Sequence, residues 1–307
     1  MLIYCLKRIL ALIPVGVGVV TIVALLIHAV PGDPVDTLLG EFATFNEKNS
    51  LRIQLGLHQP IYKQLLNYFY QIVHGDLGRS LIYNRPVIEL IKERVPATVE
   101  LAFLALLVSI TISIPLGIIS ALNKDKLFDI TAMSFALIGV AIPNLWLGPM
   151  LILFFSIKLG WLPVSERGNL LSYILPSTTM GTALAAILSR MTRNSVLDSL
   201  KEDYVRTARA KGLSETTVLF KHVLKNASLP LVTIVGLQFG VLLTGAVVTE
   251  RIFDWPGLGT LILDGLGNRD YPLVQGCVLT FSMSYLIVNL LTDIMYKVLD
   301  PRISFDS

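Results

Sequence analysis

Long uncharged apolar runs alternate along the chain with short charged connections. A bilayer-spanning helix needs about 20 apolar residues. Six runs have that character: Ile9–Val30, Leu101–Leu122, Ile130–Ile157, Leu170–Ser189, Ala227–Thr249 and Pro272–Thr292. None contains Asp, Glu, Lys or Arg. Their length and their lack of strict alternation predict transmembrane helices rather than barrel strands. Between the first two runs, IYKQLLNYFYQIV and PVIELIKERV carry apolar residues at helical spacing and predict amphipathic helices. Pro14, Pro115, Pro143, Pro149 and Pro176 fall in the apolar runs, with Gly117, Gly139, Gly148 and Gly181. Such residues either line a cavity where helices break, or mark kinks and close helix packing.

This pattern divides the chain into a first transmembrane helix (1–30), a long segment (31–100), a five-helix core (101–298) and a short tail (299–307). The core contains a connecting loop at 198–230. The first run exceeds the 7–15 apolar residues of a signal peptide and is followed by PGDP, so it reads as a retained helix. The fold class expected is an all-α membrane protein of six helices.

Composition agrees. Of 307 residues, 53% are hydrophobic and 15% charged, against about 25% charged in soluble domains. A net charge of +3, with basic residues clustered at the ends of the runs, argues against nucleic-acid binding. The clusters set orientation. Lys7, Arg8, Lys124, Lys126, the 190–225 basic group, Lys297 and Arg302 all fall on one side of a six-helix topology. The positive-inside rule makes that side cytoplasmic, with both termini inside and 31–100 outside.

The stretch DYVRTARAKGLSETTVLFKHVLKNASLP, Asp203–Pro230, is the most charged of the chain. Tyr204–Lys211 predicts a helix, with Ala208 and Ala210 among Arg206, Arg209 and Lys211. Gly212 stands where a left-handed residue ends a helix, Leu213 where an apolar contact accompanies that cap, and Ser214 where a second helix is N-capped. Val218, Leu219, Val223 and Leu224 give the second helix an apolar face, and Pro230 suits the first turn of the next span. A basic loop touching anionic lipid would account for the charge. It leaves the glycine, the alanines and the second apolar face unexplained, which a shaped plug entering a protein groove accounts for.

No chemistry of a soluble enzyme is legible. There is no G-x-x-x-x-G-K-[ST], no H-E-x-x-H and no G-x-S-x-G, and His28, His58, His74 and His222 lie far apart. Polar residues in or at the ends of the apolar runs are the candidates for a translocation pathway: Asn144, Gln238, Thr244 and Ser282. Asn289 and Asp293 read as helix-helix glue, and Arg190 as a topology anchor or a gate.

The block ARAKG-LSETTVLFKHVLKNASLP resembles the EAA loop of ABC importer permeases, specifically those of the dipeptide, oligopeptide and nickel transport family. Pro31-Gly32-Asp33-Pro34, LGLHQPIYKQ, HGDLGRS, RVPATVEL, ERIFDWPGLG, NRDYPLVQG, VNLLTDIMY and LDPRI extend the resemblance over essentially the whole chain. The pattern is nearest to the dipeptide and glutathione branches. Ala208-Arg209-Ala210 lacks the acidic residue for which the loop is named, as the peptide-transport branch commonly does.

The resemblance implies a type I permease fold in a bacterial inner membrane, forming half of a translocation pathway for di- or oligopeptides. Glutathione or a nickel chelate is the alternative cargo. It implies a homologous second permease, two cytosolic ATPase subunits and a periplasmic or lipid-anchored substrate-binding protein, besides membrane lipid. It implies no cofactor in this chain, with ATP and Mg on the ATPases. Carried over by position, Ala208, Gly212 and Pro230 shape the coupling loop, while Arg206, Arg209, Lys211, His222 and Asn226 contact the ATPase or brace the loop. An ion-coupled secondary transporter, which would place ionisable groups at mid-membrane, and a scaffold without transport are the readings from other classes.

Overall fold

In an apolar run the helical backbone satisfies its own hydrogen bonds, and long helices result even with Pro14 and Pro230 inside them. The computed structural model describes residues 2–29, 35, 43–54, 58–164 and 167–299. The Pro31-Gly32-Asp33-Pro34 motif and the tail after Leu299 lie outside these, as do the side chains of Lys7, Arg8 and Lys297. The helices are α1 (Leu2–Ala29), α2 (Phe45–Gln54), α3 (Ile61–Val73), α4 (Val87–Leu122), α5 (Leu127–Ala141), α6 (Asn144–Leu151), α7 (Ile174–Leu200), α8 (Asp203–Ala210), α9 (Glu215–Thr217), α10 (Leu224–Ile252), α11 (Leu258–Gly267) and α12 (Tyr271–Leu299). Among the described residues the only β pairing is an isolated antiparallel bridge, Arg79 with Pro86.

Four helical runs among the described residues are long and apolar enough to cross a membrane: Val87–Leu122, Leu170–Leu200, Glu215–Thr244 and Tyr271–Met295. Two of the expected boundaries move. The predicted amphipathic helix PVIELIKERV and the second apolar run are one continuous helix of 36 residues, α4. The third run is not a single straight span. It breaks between α5 and α6, which are bent by 101°. Ile142, before Pro143, is extended (φ −81°, ψ 117°), the conformation that a following proline imposes. Pro143 is extended too, and its carbonyl then accepts from the Trp146 and Leu147 amides to start α6. Beyond Pro149 the helix widens to π geometry over Ile152–Lys158.

The chain forms two compact units, 1–97 with 256–286, and 98–255 with 287–307. In the first, Val20 and Val23 of α1 pack with Leu279 of α12, and Tyr68, Phe69, Ile72 and Leu77 close over them. Gln275 Nε2 donates to the Val23 carbonyl at 3.0 Å. Asp270, fully buried, caps α12 by accepting from the Leu273 amide at 3.2 Å. Its other oxygen accepts from Ser80 Oγ at 2.5 Å and from the Ile82 amide at 3.2 Å. HGDLGRS and NRDYPLVQG, far apart in sequence, thus meet in one polar knot.

In the second unit α7 is the hub, packed by α5, α6 and α10. It starts from a 3-10 turn, Leu170–Tyr173, whose N-cap Asn169 accepts from the Leu171 amide at 3.1 Å. Two of its buried hydroxyls bond back to their own helix, Thr179 to the Leu175 carbonyl at 2.8 Å and Ser189 to the Ala185 carbonyl at 2.7 Å, while the buried Thr192 hydroxyl has no partner among the described residues. Small residues set the approach distance, as in membrane bundles generally. A Cβ on Gly181 would stand 2.7 Å from the Ala105 carbonyl oxygen, and one on Gly117 would stand 2.7 Å from that of Ser189. For these glycines close packing, not a cavity, is the reason.

Candidate functional site

The Asp203–Pro230 segment begins as the alternating charge and apolar pattern requires. α8 carries its first acidic residue, Asp203, at the N-terminal end and Arg209 in the last turn, both favourable to the helix dipole. It ends in a Schellman turn. The Gly212 amide donates to the Arg209 carbonyl at 2.9 Å and the Leu213 amide to the Ala208 carbonyl at 3.4 Å. Gly212 has φ +78°, the left-handed region where a Cβ is penalised. Ser214 is extended and its Oγ accepts from the Thr217 amide at 3.4 Å, which opens the second helix. Across the turn, Arg209 makes a two-pronged ion pair with Glu215, Nε to Oε1 at 2.8 Å and Nη2 to Oε2 at 3.0 Å.

Beyond Ser214 the expected boundary is absent. α9, a π-helical stretch Val218–Val223 and α10 follow without a break to Ile252. Pro230 therefore lies inside α10, not in a first turn. Lacking an N–H, it leaves the Asn226 carbonyl without its helical donor. The widened turns just before it are a place where such a helix absorbs the mismatch.

The apolar face of this segment is used within the chain. Val205, Ala208, Val218, Val223 and Ala227 are buried with Val196 of α7 and Ala121 of α4, and Ile118, Leu197, Leu200, Tyr204, Leu219 and Leu224 pack around them. Val218 and Val223 are 1% and 0% exposed. That face is therefore cement, and the exposed surface is the opposite one. There stand Arg206, Arg209, Ala210, Lys211 and Leu213, with Phe220 67% exposed beside them. Arg206 pairs with Asp203 at 3.3 Å on the exposed side. Leu213 stays 39% exposed while Ala208, its partner position in the turn, is buried. His222 is half-buried, and its Nε2 is buried without a hydrogen-bond partner among the described residues. Asn226 is exposed and its Nδ2 lies 3.4 Å from the His222 carbonyl.

The four pathway candidates stand on three different helices. Asn144 is the first residue of α6, half-buried beside the break at Pro143. Gln238 is half-buried in α10; Thr244 of the same helix is exposed, its hydroxyl bonded back to the Val241 carbonyl at 3.1 Å. Ser282 lies in α12, half-buried, in the other unit. Asn289 Oδ1 is buried without a partner among the described residues.

Besides Asp270, two further buried acidic sites were not legible in the sequence. Asp129, in the first turn of α5, receives a fork from Arg193 of α7, with both N–O distances 2.6 Å. It also accepts from Ser120 of α4 and from the Asp125 amide. This pair ties three helices together one turn from the Ala121–Val196 contact. Glu250, near the end of α10 and fully buried, accepts from Thr98 Oγ1 at 2.6 Å. A carboxylate beside a run of apolar residues was the available signal in both cases; its partner is remote in sequence.

Comparison with known proteins agrees with this architecture. Residues 113–305 match the family model described as binding-protein-dependent transport system inner membrane component, and residues 1–102 match the N-terminal model of the same component. The glutathione transport system permease protein GsiC of Escherichia coli strain K12 is 43% identical over 305 residues, covering 99% of this chain and all of that protein. The protein of that name from Salmonella choleraesuis is 42% identical over the same length. Among solved structures, an inward-facing MetNI methionine ABC transporter chain aligns with a TM-score of 0.57 at 18% identity, over 68% of this chain and 96% of that one. This likeness concerns the fold. With both family models matched along its length, the chain belongs to the binding-protein-dependent transport system inner membrane components and is a permease subunit of an ABC importer.

Proposed function

We propose that this permease imports short peptides, with glutathione the leading cargo, and that Asp203–Pro230 is where it takes up work from ATPase partners. One observation carries the coupling role: the helix, Schellman turn and second helix are cemented to α4 and α7 on one face and present a charged, glycine-turned surface on the other. A push on that surface moves the ends of α4 and α7 as one body, because Ala121, Val196, Val205 and Val218 share a core. Closure of two ATPases would draw this segment toward its counterpart in a second, homologous permease. The spans would then switch between two arrangements that nucleotide binding favours unequally.

ATP and Mg would sit on those partners, and a binding protein would deliver cargo from outside. Gln238, Thr244, Asn144 and Ser282 remain pathway proposals. Arg206, Arg209, Lys211 and Phe220 are proposed to touch the ATPase, with Gly212 and Ser214 holding the shape. An ion-coupled mechanism has less support. The buried carboxylates Asp129 and Glu250 lie near helix ends and are each hydrogen-bonded. Both termini are proposed to be cytoplasmic, which a reporter fused after Ser307 tests: activity confined to the periplasm would overturn it.

The glutathione reading is supported by relatives of that name at 43% identity over the full length. Uptake of labelled glutathione, a labelled dipeptide and a nickel chelate, measured with and without this chain and with its binding protein supplied, is the test. Loss of glutathione uptake on deletion is expected. Loss of dipeptide or nickel uptake alone would replace the cargo, and no loss of any would overturn the short-peptide reading.

A further inference from the structure

A groove runs down the second unit between α4 and the start of α7, with a volume of about 530 Å³, in the range of small-ligand sites. Its walls are Phe103, Leu104, Leu107 and Val108 on one side and Leu170 and Ile174 on the other. Thr111, Ser177 and Thr178 bring hydroxyls to this lining, and the first two are spent on their own helices. Thr111 Oγ1 donates to the Leu107 and Val108 carbonyls at 2.9 and 3.0 Å. Ser177 Oγ bonds to the Tyr173 carbonyl at 2.5 Å. Apart from the Thr178 hydroxyl the bore is apolar, a poor match for a hydrophilic peptide.

The mouth is different. Glu100 accepts from Arg167 Nη2 at 2.7 Å and Nε at 3.1 Å, and from the Tyr173 hydroxyl at 3.1 Å. The pair is only partly buried, with side chains 31% and 42% exposed. A guanidinium and a carboxylate thus stand side by side with open edges. From Glu100 to Thr111, α4 rises about 16 Å at 1.5 Å per residue. That is about half of the 30 Å hydrocarbon core of a bilayer. The groove is therefore one leaflet deep, charged at the headgroup end and mostly apolar toward the midplane.

We infer that this groove is a seat for one phospholipid with a zwitterionic headgroup, phosphatidylethanolamine in chemical class. The lipid's phosphate lies against Arg167, its ammonium against Glu100, and an acyl chain lies along Leu104, Leu107 and Ile174. On the topology proposed above the leaflet is the outer one; the seat itself does not depend on the cargo or on the coupling segment. The lipid would fill the space between α4 and the hub helix α7.

The assembled importer, purified and exposed to dioleoyl phosphatidylethanolamine in detergent, is examined by native mass spectrometry. One lipid per copy of this chain is expected to persist at detergent levels that strip the rest. Ile174→Trp, which fills the bore at an exposed position, and Arg167→Gln, which removes the phosphate contact, are each expected to lower retention about tenfold, equivalent to about 1.4 kcal/mol. Thermal unfolding of each variant near that of the parent shows that the fold is kept. A photocrosslinker at Leu107 should label lipid. Equal retention in parent and both variants would overturn the seat, as would labelling of a neighbouring protein helix at Leu107. If instead lipid is held but glutathione uptake is absent, the cargo reading fails and the seat stands.

Discussion

Substituting Gly212 tests the coupling segment most directly, because two expectations about it disagree. A bulky residue there would be harmful for its size if the turn were packed. A Cβ at Gly212 meets nothing within 4 Å, so size is not the constraint. The sign of φ is: at +78° an L-residue sits in the left-handed region, at a cost of roughly 1–2 kcal/mol. Alanine should thus bias the turn against its Schellman form by about five- to thirtyfold. Asparagine tolerates this region and should be nearly neutral, whereas valine, β-branched, should be worse than alanine. Proline cannot adopt the angle and also removes the amide that donates to the Arg209 carbonyl at 2.9 Å. It should unwind the turn and separate Arg209 from Glu215. The assay is uptake of labelled cargo together with ATPase binding by the purified permease pair, normalised to the amount of this chain in the membrane. The expected order of activity is Gly, Asn, Ala, Val, Pro, with membrane insertion intact throughout. An order that follows side-chain volume, with alanine above asparagine, would refute the cap as the reason for the glycine. Full activity in Gly212→Pro would refute the coupling role of the turn.

Two further predictions concern the packing beneath that surface. Asp129→Ala leaves the partly buried Arg193 without its carboxylate. Breaking one side of a fully buried pair costs about 3–5 kcal/mol; Arg193, 19% exposed, recovers part of that in solvent, so a fall in thermal unfolding temperature in detergent below that full cost is expected. The double variant Asp129→Ala/Arg193→Ala should lose less than the two single losses together, and strict additivity would show that the pair is not coupled. Gly181→Leu must push α4 away from α7, since its Cβ would stand 2.7 Å from a backbone oxygen. It should abolish assembly with a second permease on size-exclusion chromatography, while Gly139→Ala, whose Cβ finds ordinary contact at 3.6 Å, should assemble normally. Equal behaviour of the two would refute close packing as the role of Gly181.

Much of this molecule was present in its one-dimensional pattern. The apolar runs determined helices, because a chain in hydrocarbon has no other way to satisfy its backbone within one segment. The Ala-Arg-Ala-Lys-Gly-Leu-Ser order determined the turn at Gly212 and the cap at Ser214, since both depend on neighbours within a few residues. The apolar spacing of Val218 and Val223 identified a buried face. Tertiary structure alone decided what buries it. That face meets Val196 and Ala121 of the same chain, so the charged side with Phe220 is what stays exposed. It also decided that Pro143 bends a span by 101° while Pro230 sits in a continuous helix. A proline removes one donor and disfavours helix before it, but neighbouring helices determine whether that becomes a corner or is absorbed. The pairing of Asp270 with Ser80, of Asp129 with Arg193 and of Glu250 with Thr98 was likewise beyond the sequence. A buried carboxylate must find donors, yet nothing local says which distant helix brings them, because that depends on how close the small residues of α4 and α7 let the helices come.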